Sequence, residues 1–400
     1  MTSASPLNER QCDGVICIGG EDWWYHNRGH YDMQMMRELS RDVPVLYVNS
    51  IGMRVPAVSE GRMFISRVRR KLKSIRRGLV QVRPGFSVMS VLAAPGFLGR
   101  WIQSICMPIQ INRAAKSLGI TKPLVWVACP PGEKVLNKLN PSAVVYQRTD
   151  RFEAFPNVDV GEILRCDTSL RGVADLVLYC SRHLFNEECN ESPHTAFVDH
   201  GVDYARFVEA GDAVSDIPED MLKIDRPTVG FIGGIDAHTF DPDRFNKIVS
   251  LLPEVHFVLV GACSLPEDWC PHTNVYFLGQ KNYEDVPKYM AACNALIMVW
   301  NDSDWIKACN PVKLKEYLAT GRPVVSTGFD ELEHWSDCIQ VADDPVDFAE
   351  SLKNALRTDF DPTTQRHRVS TETWKEKSNQ VLSSLEEVGI TFTGGRDSTR

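Results

Sequence analysis

The chain has 400 residues, 43% hydrophobic and 24% charged, a composition that fits a globular protein too long for one ordinary core and predicts two domains. Its 44 basic and 52 acidic side chains give a net charge of −8, which argues against general nucleic-acid binding. Twelve scattered cysteines with no CxxC pair and no zinc spacing predict reduced, mostly buried thiols. An N-terminus (1–13) without a charged n-region or apolar block predicts neither secretory signal nor anchor, hence a cytoplasmic protein. The longest apolar run, Phe86 to Leu98, is broken by Pro95 and Gly96 and falls short of the roughly 18 residues that a membrane span needs.

Strand-length apolar runs alternate with segments of helical period. In the first half the predicted strands are Gly14–Ile18, Val43–Val48, Leu124–Ala128, Ala143–Tyr146, Leu176–Tyr179 and Ala196–Val198, with helices over Asn27–Arg41, Arg100–Leu118 and Gly161–Val173. An acidic, proline-containing stretch, 207–227, reads as a linker. The alternation then restarts with strands Thr228–Ile232, Val255–Val260, Val275–Leu278, Ala295–Val299, Pro323–Ser326 and Cys338–Val341. The helices are Pro242–Leu252, Tyr283–Ala292, Pro311–Thr320 and Val346–Leu356. This predicts an N-terminal domain over 13–206, a C-terminal domain over 228–370, a last helix over 371–390 and a polar tail, 391–400. Continuous apolar strands between helices imply doubly wound parallel sheets covered on both faces, so the fold class is α/β with two Rossmann-like domains facing a cleft.

Both halves open alike, "GVICIGG" ending in Gly19-Gly20 and "TVGFIGG" ending in Gly233-Gly234, where a backbone free of side chains admits a ligand or a tight turn. The loop after the first pair, "GGEDWWYHNRGHYD", gathers Gly20, Trp23, Trp24, His26 and His30. Such aromatics either stack on sugar rings in an acceptor pocket or anchor the loop, and two tryptophans in a carboxyl-end loop favour the pocket. In "RVRRKLKSIRRGL" (67–79), seven of the eleven residues from Arg67 to Arg77 are basic, and Val68, Leu72, Ile75 and Leu79 follow a helical period. That describes a basic amphipathic helix suited to an anionic membrane surface, or a solvated helix packed on its domain. The DxD patterns Asp241–Asp243 and Asp302–Asp304 suit a divalent cation, but Asp241 before Pro242 is better read as a helix cap, and no metal site is expected.

"NPVKLKEYLATGRPVVST" (310–327) predicts a short helix capped by Asn310, with Pro311 at its first position and Gly321 at its end. Leu314, Tyr317 and Leu318 would face the sheet, while Lys313, Glu316 and Thr320 share another face. Lys313 and Glu316 are then either a solvated pair or a ligand site. In the second reading the helix N-terminus and Lys313 seat a diphosphate, and Glu316 accepts hydrogen bonds from a ribose diol.

This segment resembles the donor site of the group 1 (family 4) glycosyltransferases, whose two Rossmann-like domains form the GT-B arrangement. With "VVYQRTDRF" (144–152), "DHGVDYARF" (199–207) and "VGFIGGIDAHTFDPDRF" (229–245) it is similar to the branch of teichuronic acid biosynthesis glycosyltransferases, over roughly residues 14 to 358. The resemblance implies transfer of a sugar from a nucleotide-diphosphate donor, usually with retention and without an obligatory metal or other cofactor. The acceptor would be a polysaccharide or lipid-linked glycan in envelope or exopolysaccharide synthesis. It implies that Glu316 holds the donor ribose, Gly233 and Gly234 turn near the diphosphate, and Asn310 to Lys313 bind phosphate. The family's histidine corresponds to Thr149 or Asp150; Asp150 is the catalytic candidate or else caps the next turn, with Arg148 beside it on the acceptor side, and Asp203 matches a family position beside the hinge, where it is either functional or purely structural. Two departures stand out: Ala308 occupies the position of a second glutamate eight residues before Glu316, and Ile235, Asp236 and His238 follow the glycine turn where an Arg/Lys clamp is usual. Phosphate binding then rests on Lys313, Lys307 and backbone amides. Alternatives are a sugar-nucleotide epimerase of the same fold, or a non-catalytic sugar-nucleotide-binding protein.

Overall fold

Short apolar runs, fully buried in the central strands, set both sheets. The computed structural model describes residues 9–25, 29–51, 69–70, 72–91, 96–213 and 216–393, and divides into one unit of residues 1–199 and 377–400 and another of 200–376. In the first unit β1 (Arg10–Cys12) precedes an eight-stranded sheet made of β2 (Gly14–Ile18), β3 (Val45–Val48), β4 (Leu79–Arg83), β5 (Phe86–Met89), β6 (Pro123–Val127), β7 (Ala143–Arg148), β8 (Leu176–Tyr179) and β9 (Thr195–Phe197). Their order is β4-β5-β3-β2-β6-β7-β8-β9, parallel throughout except for the antiparallel β4–β5 edge. The central strands are buried from end to end because helices cover both faces, so nothing selects an alternating pattern.

The second unit contains β10 (Thr228–Ile232), β11 (His256–Val260), β12 (Val275–Gly279), β13 (Ala295–Met298), β14 (Val324–Ser326) and β15 (Gln340–Val341), all parallel in the order β12-β11-β10-β13-β14-β15. This is the doubly wound order whose direction reverses between its first and fourth strands, here β10 and β13, and ligands bind at the carboxyl ends of strands at such a point. The first unit reverses in the same manner between β2 and β6. β16 (Ile390–Phe392) returns to the first unit and pairs in parallel with β1.

Several boundaries differ from the sequence pattern. The stretch 207–227 is not a linker. Residues Tyr204–Asp212 form a helix whose Phe207 is fully buried in the core of the second unit, joined there by Met221 and Ile224. Packing overrode an acidic composition that masked three apolar anchors. The final helix, Trp374–Glu387, crosses the unit boundary at 376/377, so its greater part belongs to the first unit. The basic segment is helical at 69–70 and 72–76, and positive-φ Gly78 follows it (φ 66°). Leu79 therefore opens β4 instead of completing a helical stripe. Residues 67, 68 and 71 lie outside the described residues. Among the described residues no helix is long and apolar enough to cross a membrane.

Candidate functional site

The helix Val312–Thr320 starts one residue later than its sequence suggests. Pro311, extended at φ −75° and ψ 125°, is the N-cap, and buried Asn310 lies just outside. The C-terminal end is as expected, with Gly321 left-handed at φ 75° and its N–H donating to the Leu318 carbonyl. Leu314, Tyr317 and Leu318 are fully buried, and the Tyr317 hydroxyl accepts a 2.9 Å hydrogen bond from the Ile232 N–H, which ties the helix to the end of β10. The face with Glu316 and Thr320 is buried too, and the Thr320 hydroxyl donates to the Glu316 carbonyl at 2.8 Å. A solvated Lys/Glu pair is therefore ruled out.

Glu316 is 6% exposed and accepts a 3.1 Å hydrogen bond from the Tyr283 hydroxyl. Burial pushes its carboxyl up to about 7, against the opposing pull of Tyr283, Lys313 and Arg206. Arg206 lies over the Tyr283 ring at 5.3 Å, and Asp203 completes this electrostatic neighbourhood at the start of its helix. Lys313 is half-buried. Desolvation lowers its ammonium to about 8, although Glu316, Cys309 and Asp236 favour the charge. Its Nζ lies 4.7 Å from the ring centre of Phe231 and 4.5 Å from that of Trp300. Gly233 makes room for it, since a Cβ there would fall 2.0 Å from Nζ. Gly261 at the end of β11 serves the same corner, because a Cβ there would sit 1.8 Å from the Gly233 carbonyl oxygen.

The sheet reversal thus brings together Gly233, Lys313 and Glu316 with Gly234 in the adjoining turn, and sequence reasoning missed Phe231, Trp300, Tyr283 and Arg206 around them. Phe231 and Trp300 carried one usable signal, an aromatic at or beyond the carboxyl end of an apolar strand. Lys307 is elsewhere. Its ammonium pairs with Asp304 at 3.2 Å, and it lines a cavity of about 480 Å³ with Asp302, Asp330, Glu333 and Asp343. Asp241 caps its helix by accepting from the Arg244 N–H at 2.9 Å.

In the first unit the Gly20 N–H donates to Asp32 at 2.9 Å, and the Tyr47 hydroxyl donates to the same carboxylate at 2.8 Å. Asp150 follows β7, half-buried, with no side-chain hydrogen bond among the described residues. Desolvation raises its carboxyl to about 6 while Arg148 opposes the shift. Asp150, Asp199 and Asp32 all act electrostatically on the buried Cys180 thiol, which places the ends of β7 and β8 near the Gly20 loop.

Two acceptor-side expectations do not hold. Trp23 is 7% exposed, packed edge-on against Phe86 at 4.9 Å and tilted against Tyr47 at 6.0 Å, so it anchors the loop and offers no stacking face. Arg148 is 1% exposed. Its guanidinium donates to Glu153 and Glu188 at 3.0 to 3.2 Å and faces Asp167 at 3.3 Å. All its donors are used by a structural network, which leaves none for a ligand. Trp24 is half-buried with the Arg77 guanidinium 4.3 Å over its ring, His30 is exposed at the start of the helix Tyr31–Leu39, and His26 lies outside the described residues. Ser74 in the basic segment is buried, hydrogen-bonded to Asp22 at 3.1 Å, which ties that segment to the same loop. Leu72 is 55% exposed.

Residues 226–358 match the family model described as glycosyl transferases group 1. The TuaH protein of Bacillus subtilis (strain 168), named for teichuronic acid biosynthesis as a glycosyltransferase, is 27% identical over 207 residues. The match covers 48% of this chain and about half the length of that relative (50%). Among solved structures, sucrose-phosphate synthase from Thermosynechococcus elongatus is 15% identical with a TM-score of 0.64, covering 95% of this chain and 99% of that one. Anabaena HepE in complex with UDP and glucose is 13% identical with a TM-score of 0.66, covering 94% and 100%. An α,α-trehalose-phosphate synthase (UDP-forming) from Burkholderia vietnamiensis is 12% identical with a TM-score of 0.62, covering 94% and 99%. At these identities the structural likeness speaks for the fold alone.

Proposed function

We propose that the chain, whose residues 226–358 match the group 1 glycosyltransferase model and whose fold is that of GT-B glycosyltransferases, transfers a sugar from a nucleoside-diphosphate donor to a glycan acceptor. The observation that carries the reading is the pairing of Lys313 with Glu316 at the point where the second sheet reverses, the same kind of corner in which α/β folds bind nucleotides. HepE, which shares the fold, binds UDP and glucose, and this supports a nucleotide-sugar donor here.

In this reading Lys313 and the free amides that open the helix Val312–Thr320 meet the diphosphate, and Glu316 accepts from the ribose diol. As the glycosidic bond breaks, charge grows on the departing nucleoside diphosphate, and the ammonium stabilises it, in place of an obligatory metal. Asp150 orients the acceptor hydroxyl. We read the donor as hexosyl, the transfer as retaining and the acceptor as a polysaccharide or lipid-linked glycan of envelope synthesis; the teichuronic acid biosynthesis in the name of TuaH supports the envelope part of that reading. The exposed Arg69, Arg70, Lys73 and Arg76 with Leu72 favour docking on an anionic membrane surface.

A thermal-shift panel of UDP-, GDP-, ADP- and dTDP-sugars tests the donor site, since a ligand of the native state raises its melting temperature. One donor class is expected to stabilise the protein, and Glu316→Ala to abolish the shift. An unchanged shift in that variant would remove Glu316 from the ribose. For the membrane surface, co-sedimentation with phosphatidylserine vesicles is expected to vanish when the four basic residues are neutralised, and persistent binding would refute it.

A further inference from the structure

The Lys313 ammonium is held by rings instead of a carboxylate. Among the described residues no acidic side chain approaches within ion-pair distance, while Phe231 and Trp300 present their faces at 4.7 and 4.5 Å. The seat is rigid. The Trp300 main chain is fixed at both ends, its N–H donating to Thr327 Oγ1 at 2.9 Å and its carbonyl accepting from Arg244 at 2.8 Å, and the two rings meet edge to face at 5.8 Å. Trp300 is 5% exposed, yet its indole N–H is buried with no partner among the described residues. A buried donor without a partner is uncommon and calls for an occupant, an ordered water, an ion or a ligand.

We propose that Trp300, with Phe231, is a positioning residue for the donor's diphosphate, its ring seating the Lys313 ammonium and its indole N–H adding a second donor to the same phosphates. The inference rests on the nucleotide-sugar reading given above. Its physical basis is that a ring face attracts an ammonium without occupying its N–H groups. A carboxylate in that place would compete with the phosphate for the same three donors, whereas the rings leave them available. The usual Arg/Lys clamp is absent after Gly233-Gly234, so the seat takes over a task that the turn does not perform. Desolvation by the same surroundings lowers the ammonium to about 8.

The test is a double-mutant cycle read by calorimetric titration with UDP, GDP, ADP and dTDP, each against its nucleoside. Lys313→Met and Trp300→Leu are each expected to weaken the bound diphosphate by about tenfold or more, and the double variant by no more than the worse single one, since both act on one contact. Nucleoside affinity stays within about twofold, because the ribose contact at Glu316 is untouched. Trp300→Phe keeps a ring under the ammonium and loses only the N–H, so its affinity should fall between those of the native and leucine variants, and where the leucine variant does not fold this smaller loss carries the same cycle. Losses that multiply in the double variant, or that fall equally on nucleoside and diphosphate, would overturn the positioning role and leave the donor reading standing. Failure of the native chain to bind any of the four diphosphates would overturn both.

Discussion

Replacing Glu316 by glutamine should stabilise the free protein, and increasingly so as pH rises. Folded Glu316 keeps its proton up to about pH 7, because burial outweighs the Tyr283 hydrogen bond, whereas in the unfolded chain it ionises near the ordinary 4.5. Between those values the folded state binds more protons than the unfolded one, so the native protein loses stability as pH rises through this window. A shift of this size opposes folding by about 1.4 kcal/mol at pH 5.5 and about 3.4 kcal/mol at pH 8, at 1.36 kcal/mol per unit. Glutamine has the same shape, still accepts from Tyr283 and does not titrate, so its advantage over glutamate should widen by about 2 kcal/mol between the two pH values. In a unit of this size that is roughly 4 to 8 °C in melting temperature. The measurement is calorimetric melting of both proteins at pH 5.5 and 8, with no nucleotide. The same variant should lose donor binding, because a neutral amide replaces the charged acceptor of the ribose hydroxyls. A melting difference that does not change with pH would refute the argument, since it would mean that the carboxylate is not the buried titrating group.

Lys313 gives the opposite sign. Its free-state value of about 8 lies below the ordinary 10.5, so affinity for a nucleoside diphosphate should fall by about tenfold per unit as pH rises above 8. Lys313→Met should bind weakly with a flat profile, checked by titration between pH 7 and 9.5. Arg148→Met removes the buried cation shared by Glu153, Glu188 and Asp167, leaving Arg171 as the remaining partner of Asp167 and Glu188, and should cost about 3 kcal/mol in thermal unfolding. Because Arg148 lies in a structural network, the variant's nucleotide affinity below its melting point should match the native one. Asp150→Asn should remove an acidic limb near pH 6 from the transfer-rate profile, the value to which desolvation raises that carboxyl.

The central strands were the most legible elements because each is short, apolar and buried from end to end. Gly14–Ile18, Leu176–Tyr179 and Thr228–Ile232 follow from the sequence to the residue. The β4–β5 hairpin was not, because its first strand, "LVQVR", is only partly buried and follows a basic helix whose apolar period runs into it. Its turn depends on Gly85 at φ 72°. The residues around Lys313 and Glu316 were legible singly, since Gly321 as a helix stop and the Gly233-Gly234 pair are local signals, whereas the N-cap lies at Pro311, one residue beyond the expected Asn310. What was not legible was the seat of Lys313, which Phe231 and Trp300 complete across β10 and β13. A sequence places those rings 69 positions apart, and only the parallel pairing Val229↔Ala295 brings them together. Trp23 failed in the opposite direction. Aromatic content alone does not separate a stacking ring from an anchoring one, and the contact with Phe86 that decides it comes from a strand that the pattern had missed.

The two charged groups of the site share one property that a simple ion pair would not produce. In a direct pair each partner favours the other's charge, so the acid would titrate below its ordinary range and the base above it. Here Glu316 is raised to about 7 and Lys313 lowered to about 8, so both shift toward neutrality although they stand one turn apart. Burial wins at each position because each is given a neutral neighbour, a tyrosine hydroxyl for the acid and two ring faces for the base. The free protein is therefore less stable than its fold would permit, and the deficit lies at the atoms proposed to meet the donor. A diphosphate would hold the charge on Lys313 to higher pH, and a ribose diol would supply the hydrogen bonds that keep Glu316 ionised. Binding then recovers stability that folding left unused, which is why the glutamine variant should be the more stable protein and the poorer donor binder.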